Sequence, residues 1–356
     1  MKISNKMLTA CMLLLSGMAT NATAQVIKDA DKVKPASSDY ANTDTVAWIY
    51  GGILNLGGNE GFLHNWPAGG ELASLTTNGI FSGFLTHLNG RNVWTNNLDL
   101  NYGLNYAYSY SFIPRKTDDR IDFTSKFGRR IHKTSDVYLT GLFNFRSQFT
   151  KGYDYTNPEW RSTSTSRFFS PAYFTLAPGF EFRKGTNISL FISPAAARLT
   201  CVDKYYTEMD AKGAFGVPFG KTTRFEFGAY LSARYRVDIT KNLSFRTRLD
   251  LYSNYLAKDD KDSLGNVVRK DNPGNITILS DNLFSYKVGK HISITLGMVF
   301  IYDHAVPYES TYVDANGIVQ DKNEPLSGLG WLQVKQNLNF GFEYKLPIPK
   351  KTETPK

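Results

Sequence analysis

The sequence predicts an all-β protein, an antiparallel transmembrane β-barrel of about 12 strands following an N-terminal signal peptide. Three observations predict it. From Asn92 to Tyr110 every second residue is large and mostly apolar: Trp94, Leu98, Leu100, Tyr102, Leu104, Tyr106, Tyr108, Tyr110. The residues between are small or polar. A period of two means a strand with two unlike faces. Strands of soluble proteins typically run about five or six residues, and this one is far longer. A lipid-facing wall backed by a wet wall has this pattern. Second, the connections alternate between short and long along the chain. Third, no apolar run of about 18 residues, the length of a membrane helix, follows the N-terminal leader.

The leader has Lys2 and Lys6, an apolar run from Met7 to Met18, and Ala22-Thr23-Ala24 before Gln25. That is the layout of a secretory signal peptide cleaved after Ala24. Its apolar run is too short to cross a bilayer as a helix. Leu8-Thr9-Ala10-Cys11 imitates a lipoprotein box, but the apolar region follows Cys11, which therefore reads as part of the leader. The expected organisation is a signal peptide over 1–24, a polar lead-in over 25–45, the barrel over 46–346 and a polar periplasmic tail over 347–356. Cys201 is then the only cysteine, so no intrachain disulfide can form. Losing Lys2 and Lys6 lowers the net charge from +9 to +7 (9 − 2 = 7). No basic cluster interleaved with aromatics accompanies that charge, so nucleic acid is not an expected partner.

The strands follow in order. Weaker patterns cover Val46–Leu56 and Leu72–Leu88, and the Asn92 stretch is third. Ile121 and Phe123 alternate with Arg120, Asp122 and Thr124. Leu139, Phe143 and Phe145 alternate with Thr140, Asn144 and Arg146. Phe174, Leu176, Phe180 and Phe182 alternate with Thr175, Gly179, Glu181 and Arg183. Ile188, Leu190 and Ile192 alternate with Ser189 and Ser193. Phe225, Phe227, Ala229 and Leu231 alternate with Arg224, Glu226, Ser232 and Arg234. Leu243, Phe245, Leu249 and Leu251 alternate with Ser244, Arg246, Arg248 and Asp250. A weak tenth strand covers Ile276–Tyr286. Ile292, Ile294, Leu296, Met298 and Phe300 form the eleventh, and Leu338, Phe340, Phe342 and Tyr344 the last.

Short turns fall at Asn89-Gly90-Arg91, His132–Ser135, Lys184–Asn187, Thr240–Asn242 and Val288–Lys290. Asn89-Gly90 suits a tight hairpin. Between them lie Gly57–Gly70, Ser111–Thr117, Lys151–Ser170, Val202–Thr222, Lys258–Pro273 and His304–Gly330. Outer-membrane barrels have short periplasmic turns and longer outer loops. Placing both termini on the short-turn side requires an even strand number, which brings in the weak first strand. The 21 tyrosines suit interfacial girdles, with outer-membrane lipid as the partner of the outer wall.

The expected lumen face carries Asp99, Asn101, Arg120, Arg146, Arg224, Arg234, Arg246 and Arg248. Lys126, Arg183, Arg236, Lys335, Asp122, Glu181, Glu226, Asp238, Asp250 and Glu343 share it. One reading is a channel lining with a basic bias that favours small anionic solutes. The other is a network of ion pairs filling a narrow interior. Trp66, in a glycine-rich segment, and Tyr153, Tyr155 and Trp160 are the outer-loop binding candidates.

Chemistry is sparse. His304 beside Asp303 is the best-placed candidate for a hydrolase, but no serine has a nucleophile setting such as G-x-S-x-G, so no catalytic residue is assigned. Metal-ligand spacing is absent, and Asp259, Asp260 and Asp262 read as a solvated loop. No cofactor is expected.

An ordered series of short motifs adds a resemblance: Asn65-Trp66-x-x-Gly69-Gly70-Glu71, Lys116-Thr117-Asp118-Asp119, Gln148-Phe149-x-x-Gly152-Tyr153, Ser170-Pro171-Ala172-Tyr173, Ser193-Pro194, Leu251-x-Ser253-Asn254-Tyr255 and Tyr302-Asp303. The series resembles an uncharacterised family of outer-membrane-type β-barrels, domain of unknown function 3078, over about Ala47 to Leu346. The family carries no assigned activity, so the resemblance implies the fold and no chemistry. The expected function is a passive pore or transport-type barrel for small solutes in the outer membrane of a Gram-negative bacterium, with weak anion preference. The alternatives are a non-conducting structural or surface-interaction barrel and an outer-membrane hydrolase.

Overall fold

A computed structural model describes residues 46–63, 71–132, 134–155, 160–184, 187–209, 213–261, 267–269, 271–289, 291–303, 310–313, 319–322 and 332–346. Twelve strands close into one barrel: β1 (Val46–Phe62), β2 (Ala73–Asn89), β3 (Asn92–Ala107), β4 (Arg115–Arg130), β5 (Val137–Ser147), β6 (Ala172–Lys184), β7 (Ile188–Cys201), β8 (Thr223–Asp238), β9 (Leu243–Asn254), β10 (Thr277–Lys287), β11 (Ile292–Tyr302) and β12 (Gln333–Leu346). Each pairs antiparallel with its neighbours in sequence, and β12 returns to pair with β1. Closure leaves no sheet edge, as a strand-built membrane protein requires. The leader, the lead-in and the 347–356 tail lie outside the described residues.

The seam between β1 and β12 depends on small residues. Gly57 stands opposite Gly341. A Cβ at Gly341 would sit 2.1 Å from the Leu56 carbonyl oxygen and 2.4 Å from Gly57 Cα. Only hydrogen fits between these backbones.

The two faces follow the period-two pattern. Leu139, Leu176, Phe180, Phe225, Leu338 and Phe340 point outward and are more than half exposed. So many bare apolar side chains in continuous rows would be untenable in water and are the expected surface in a bilayer. At the short-turn end the rows finish in aromatics. The register sets Trp48 beside His87, His87 beside Trp94, and Trp94 beside Phe127. The Trp48 and His87 rings lie 4.4 Å apart, and Trp94 donates its indole N–H to Ser125 at 2.9 Å. An apolar ring body with a polar handle is the composition of an interfacial girdle.

Three expected strand ends need correction. The strand that begins at Asn92 ends at Ala107, and Tyr108–Tyr110 form a 3-10 turn. Ser111 and Phe112 then take φ +54°, which reverses the chain; Tyr108 and Tyr110 therefore continue the period by sequence but not by backbone. β4 starts at Arg115, inside the stretch expected to be loop, and β1 runs on to Phe62.

Beyond Ser193 the alternation breaks at a bulge. On β7 the inward residues are Ser189, Phe191 and Ser193, then Ala196, Arg198 and Thr200. The register skips on both flanks: Ala196 faces Gly228 but Ser193 faces Tyr230, while Ala197 faces Leu176 and Ile192 faces Phe180. One extra residue around Pro194-Ala195 switches the inward parity from odd to even. Proline lacks the N–H that a regular ladder needs, so a bulge is where a barrel strand tolerates it.

Candidate functional site: the barrel lumen

Most inward side chains of the twelve strands are charged or polar, and the predicted lumen residues lie among them. Their contacts fall into three tiers along the axis.

The middle tier crosses the lumen. Arg120 on β4 meets Asp281 on β10 at 2.6 Å. In the closed order five strands separate β4 from β10 on either side, so this pair spans the barrel from wall to wall. Arg248 on β9 bonds Asp122 on β4 at 2.8 Å and Asp250 beside it at 2.7 Å. Asn144 and Ser232 complete the carboxylates, donating to Asp122 and Asp250 at 2.7 Å each. Buried charges need this degree of pairing, because an unpaired one costs several kcal/mol or about that in desolvation.

Toward the long-loop end, Arg198 grips Glu226 bidentately at 2.6 and 2.9 Å and lies 4.3 Å over the Tyr252 ring. Arg224 joins the same carboxylate at 3.2 Å and donates to the Gly216 carbonyl, tying an outer loop to the wall. Arg146 stacks on Tyr173 at 5.4 Å. Leu142, Ala177, Phe191, Ala196, Tyr230 and Tyr252 pack together inside the barrel. A small cavity of about 30 Å³ remains here, lined by Arg146, Arg198, Asp250 and Tyr252 among others.

From Thr86 and Thr95 near the short-turn end, a chamber of about 240 Å³ runs past the middle tier to Asp118 and Lys335, near the long-loop ends of their strands. Asn97, Asp99 and Asn101 of β3 line it, so the wall with small side chains is where space remains. Its cationic lining is Arg120, Lys126, Arg183, Arg234, Arg236, Arg246, Arg248 and Lys335; its carboxylates are Asp99, Asp118 and Asp281. Lys126 and Glu181 form a buried pair at 2.5 Å, with Arg183 3.9 Å from the same carboxylate. Lys335 meets Asp118 at 2.5 Å. Arg234, Arg236 and Arg246 differ: among the described residues they have no ion-pair partner. Arg234 donates to Thr124 at 3.2 Å, with its Nε unbonded. Arg246 donates to Ser82 at 3.1 Å, and Arg236 lies 5.6 Å from the Phe84 ring centre.

At the outer rim, Tyr153, Tyr155 and Trp160 form one cluster, with ring centres 5.0–6.2 Å apart. Arg115 lies over Tyr155 at 5.0 Å and over Tyr110 at 3.9 Å. Burial pushes the Tyr110 phenol above its ordinary value, against the pull of Arg115. These rings are half-buried and hold one another. Asp119 clips the same loop to β4, accepting from the Phe149 and Thr150 amides at 2.6 and 2.9 Å and from Lys116 at 2.8 Å. Two of the family-like motifs thus meet at one carboxylate. Trp66, His304 and Asp262 lie outside the described residues; Asp259 accepts from the Asp271 amide at 2.9 Å.

Sequence reasoning missed Arg198, because strict alternation from Ser189 points it outward; Pro194 was the available signal. It also missed the inner apolar cluster, although Tyr230 and Tyr252 fall on the lumen parity.

Comparison with solved structures gives low similarity across most of the chain. An outer membrane channel from Pseudomonas putida F1 is 11% identical, covering 88% of this chain and 98% of its own, at a TM-score of 0.33. A mutant of the TodX monoaromatic hydrocarbon channel is 9% identical, covering 85% and 90%, at 0.31. A FadL homologue from Pseudomonas aeruginosa is 11% identical, covering 84% and 88%, at 0.26. The assignment of a barrel rests on the strand pairing itself and not on these similarities. No curated protein matches the chain. The motifs spread over Ala47–Leu346, whereas the direct family match is shorter: residues 59–153, from the end of β1 to the loop after β5, match the family described as "Protein of unknown function (DUF3078)".

Proposed function

We propose that this chain is a transport-type barrel of the bacterial outer membrane that passes small solutes and weakly prefers anions. One observation carries the reading: the chamber of about 240 Å³ is lined by many more cations than carboxylates, and three of its arginines have no carboxylate partner among the described residues. Such a field raises the local concentration of anions and lowers that of cations. The exposed apolar outer wall and its aromatic girdle support a membrane setting, and the signal-peptide layout of residues 1–24 supports an export route to the outer membrane.

Conductance in planar bilayers tests this reading. Small single-channel currents with a reversal potential favouring chloride over potassium are expected in a salt gradient. Cation preference would overturn the anion assignment.

A second reading has its own observation. Arg120–Asp281 and Arg248–Asp122 cross the lumen at the chamber wall. If they hold in the membrane, the barrel is sealed and serves as a structural or surface-interaction protein. Absence of conductance in reconstituted protein that migrates as a folded barrel would select this reading.

A further inference from the structure

We propose that the lumen chamber is a binding site for a small organic carboxylate with a short apolar body. The proposal deepens the transport reading, but the site stands whether or not a solute passes through it.

The charge balance of the chamber wall is the starting point. Arg236 on β8 is register-paired with Arg246 on β9, and Arg234 with Arg248. Like charges directly opposite on neighbouring strands repel. Arg248 answers this with two carboxylates, Asp122 and Asp250. Arg234, Arg236 and Arg246 have neutral partners instead: a threonine hydroxyl, a phenylalanine face and a serine hydroxyl. Three half-buried guanidinium groups therefore face one space with no ion-pair partner among the described residues, and Asp238, Glu343 and Asp122 act on them only from beyond bonding distance. Asp99, on the β3 wall, is the one carboxylate lining the chamber that has no ion pair among the described residues, and it acts on both Arg236 and Arg246.

The missing element is an anion. A guanidinium presents parallel N–H donors that match the two oxygens of a carboxylate, and an anion between Arg236 and Arg246 turns their repulsion into attraction. The rest of the wall selects what the anion carries. Ile80, Phe84, Leu283 and Val299 supply apolar lining on β2, β10 and β11. Ligand pockets for drug-sized molecules run to about 300–1,000 Å³. A chamber of about 240 Å³ suits a smaller body, of the size of one aromatic ring or a short alkyl chain.

The test is isothermal titration of the purified, detergent-solubilised full barrel with benzoate, inorganic phosphate and benzyl alcohol. Benzoate is expected to bind, benzyl alcohol at least tenfold more weakly and phosphate more weakly than benzoate. Paired substitution Arg236→Gln with Arg246→Gln is expected to weaken benzoate at least tenfold in protein that still migrates as a folded barrel. Asp99→Asn is expected to tighten benzoate several-fold, because it removes the competing carboxylate; damage to the fold would not produce that sign. Equal binding of benzoate and benzyl alcohol overturns the charged half of the proposal, and phosphate binding without benzoate overturns the apolar half. Binding of neither benzoate nor phosphate to the native barrel, or no loosening in the paired arginine variant, overturns the site. If the paired variant does not assemble, Asp99→Asn decides alone: unchanged or weaker binding rejects the site. Benzoate binding without conductance keeps the site and removes the pore; conductance without binding removes only the site.

Discussion

Arg248 on β9 reaches the Asp122 carboxylate on β4 at 2.8 Å, across an interior that four intervening strands separate on the shorter way round. This bond and Arg120–Asp281 both cross the lumen. Arg248→Ala should widen the passage. Single-channel conductance is expected to rise several-fold. Stability should fall by about 3 kcal/mol, since one partner of a buried pair is left behind. Denaturant unfolding in detergent measures the second effect. Unchanged conductance with lowered stability would show that the bridge supports the wall without blocking the lumen.

Lys126 and Glu181 are almost fully buried, and Ser189 donates to the same carboxylate at 2.6 Å. Glu181→Gln leaves the ammonium without its counter-charge. A loss of about 3–5 kcal/mol is expected in urea unfolding. Replacing both residues, Lys126→Met with Glu181→Leu, should recover most of it. A double variant as unstable as the single one would count against charge pairing as the cause.

Gly341 lies where β12 closes on β1, with room for hydrogen only. Gly341→Val should prevent the seam from forming at its present register, with a loss above about 4 kcal/mol. On gels the native protein should show heat-modifiable migration and the variant should not. A variant that still migrates as a folded barrel would mean that the seam can shift.

Trp48 and Trp94 have ring centres 6.5 Å apart on the outer wall near the short-turn end. In a variant that keeps Trp94 as its only tryptophan, brominated lipids should quench most strongly when the bromines lie near the headgroups. Stronger quenching from bromines at the bilayer centre would misplace the girdle.

Glu71 accepts a hydrogen bond from the Ser109 amide at 2.9 Å, joining the start of β2 to the turn after β3. A hydrogen bond from the Ser109 side chain, together with that amide bond, holds the Glu71 carboxyl below its ordinary value of 4.5. A depressed folded pKa means that the contact contributes fully above the unfolded value and is lost as pH falls through the folded one. Hydrogen exchange at the Ser109 amide should therefore stay protected at neutral pH and lose protection only as pH falls below the ordinary carboxylate value of 4.5. Protection that does not change with pH, or that Glu71→Gln leaves intact, would rule out this clip.

Much of the barrel was legible in the chain because the code for a membrane strand is local. Lipid on one side and polar interior on the other make Phe225, Phe227 and Leu231 alternate with Arg224, Glu226 and Ser232, and no distant partner is needed to read it. Loop sorting was legible for the same reason. The exceptions are places where the backbone leaves the period. Tyr108 and Tyr110 keep the spacing after Ser111 and Phe112 have turned the chain, and Pro194 reverses the inward parity ahead of Arg198.

The sequence by itself determined the strands, their faces, the even strand number and the identity of most lumen charges. It could not determine which charges meet. Asp122 and Arg248 are separated by more than a hundred residues, as are Arg120 and Asp281, and only closure of the sheet brings β4 opposite β9 and β10. The tertiary structure alone decided that these four neutralise one another while Arg234, Arg236 and Arg246 face an open chamber. The physical reason is range. Alternation is set by each residue's own solvent, whereas pairing across a lumen depends on barrel diameter and register, which belong to the whole sheet.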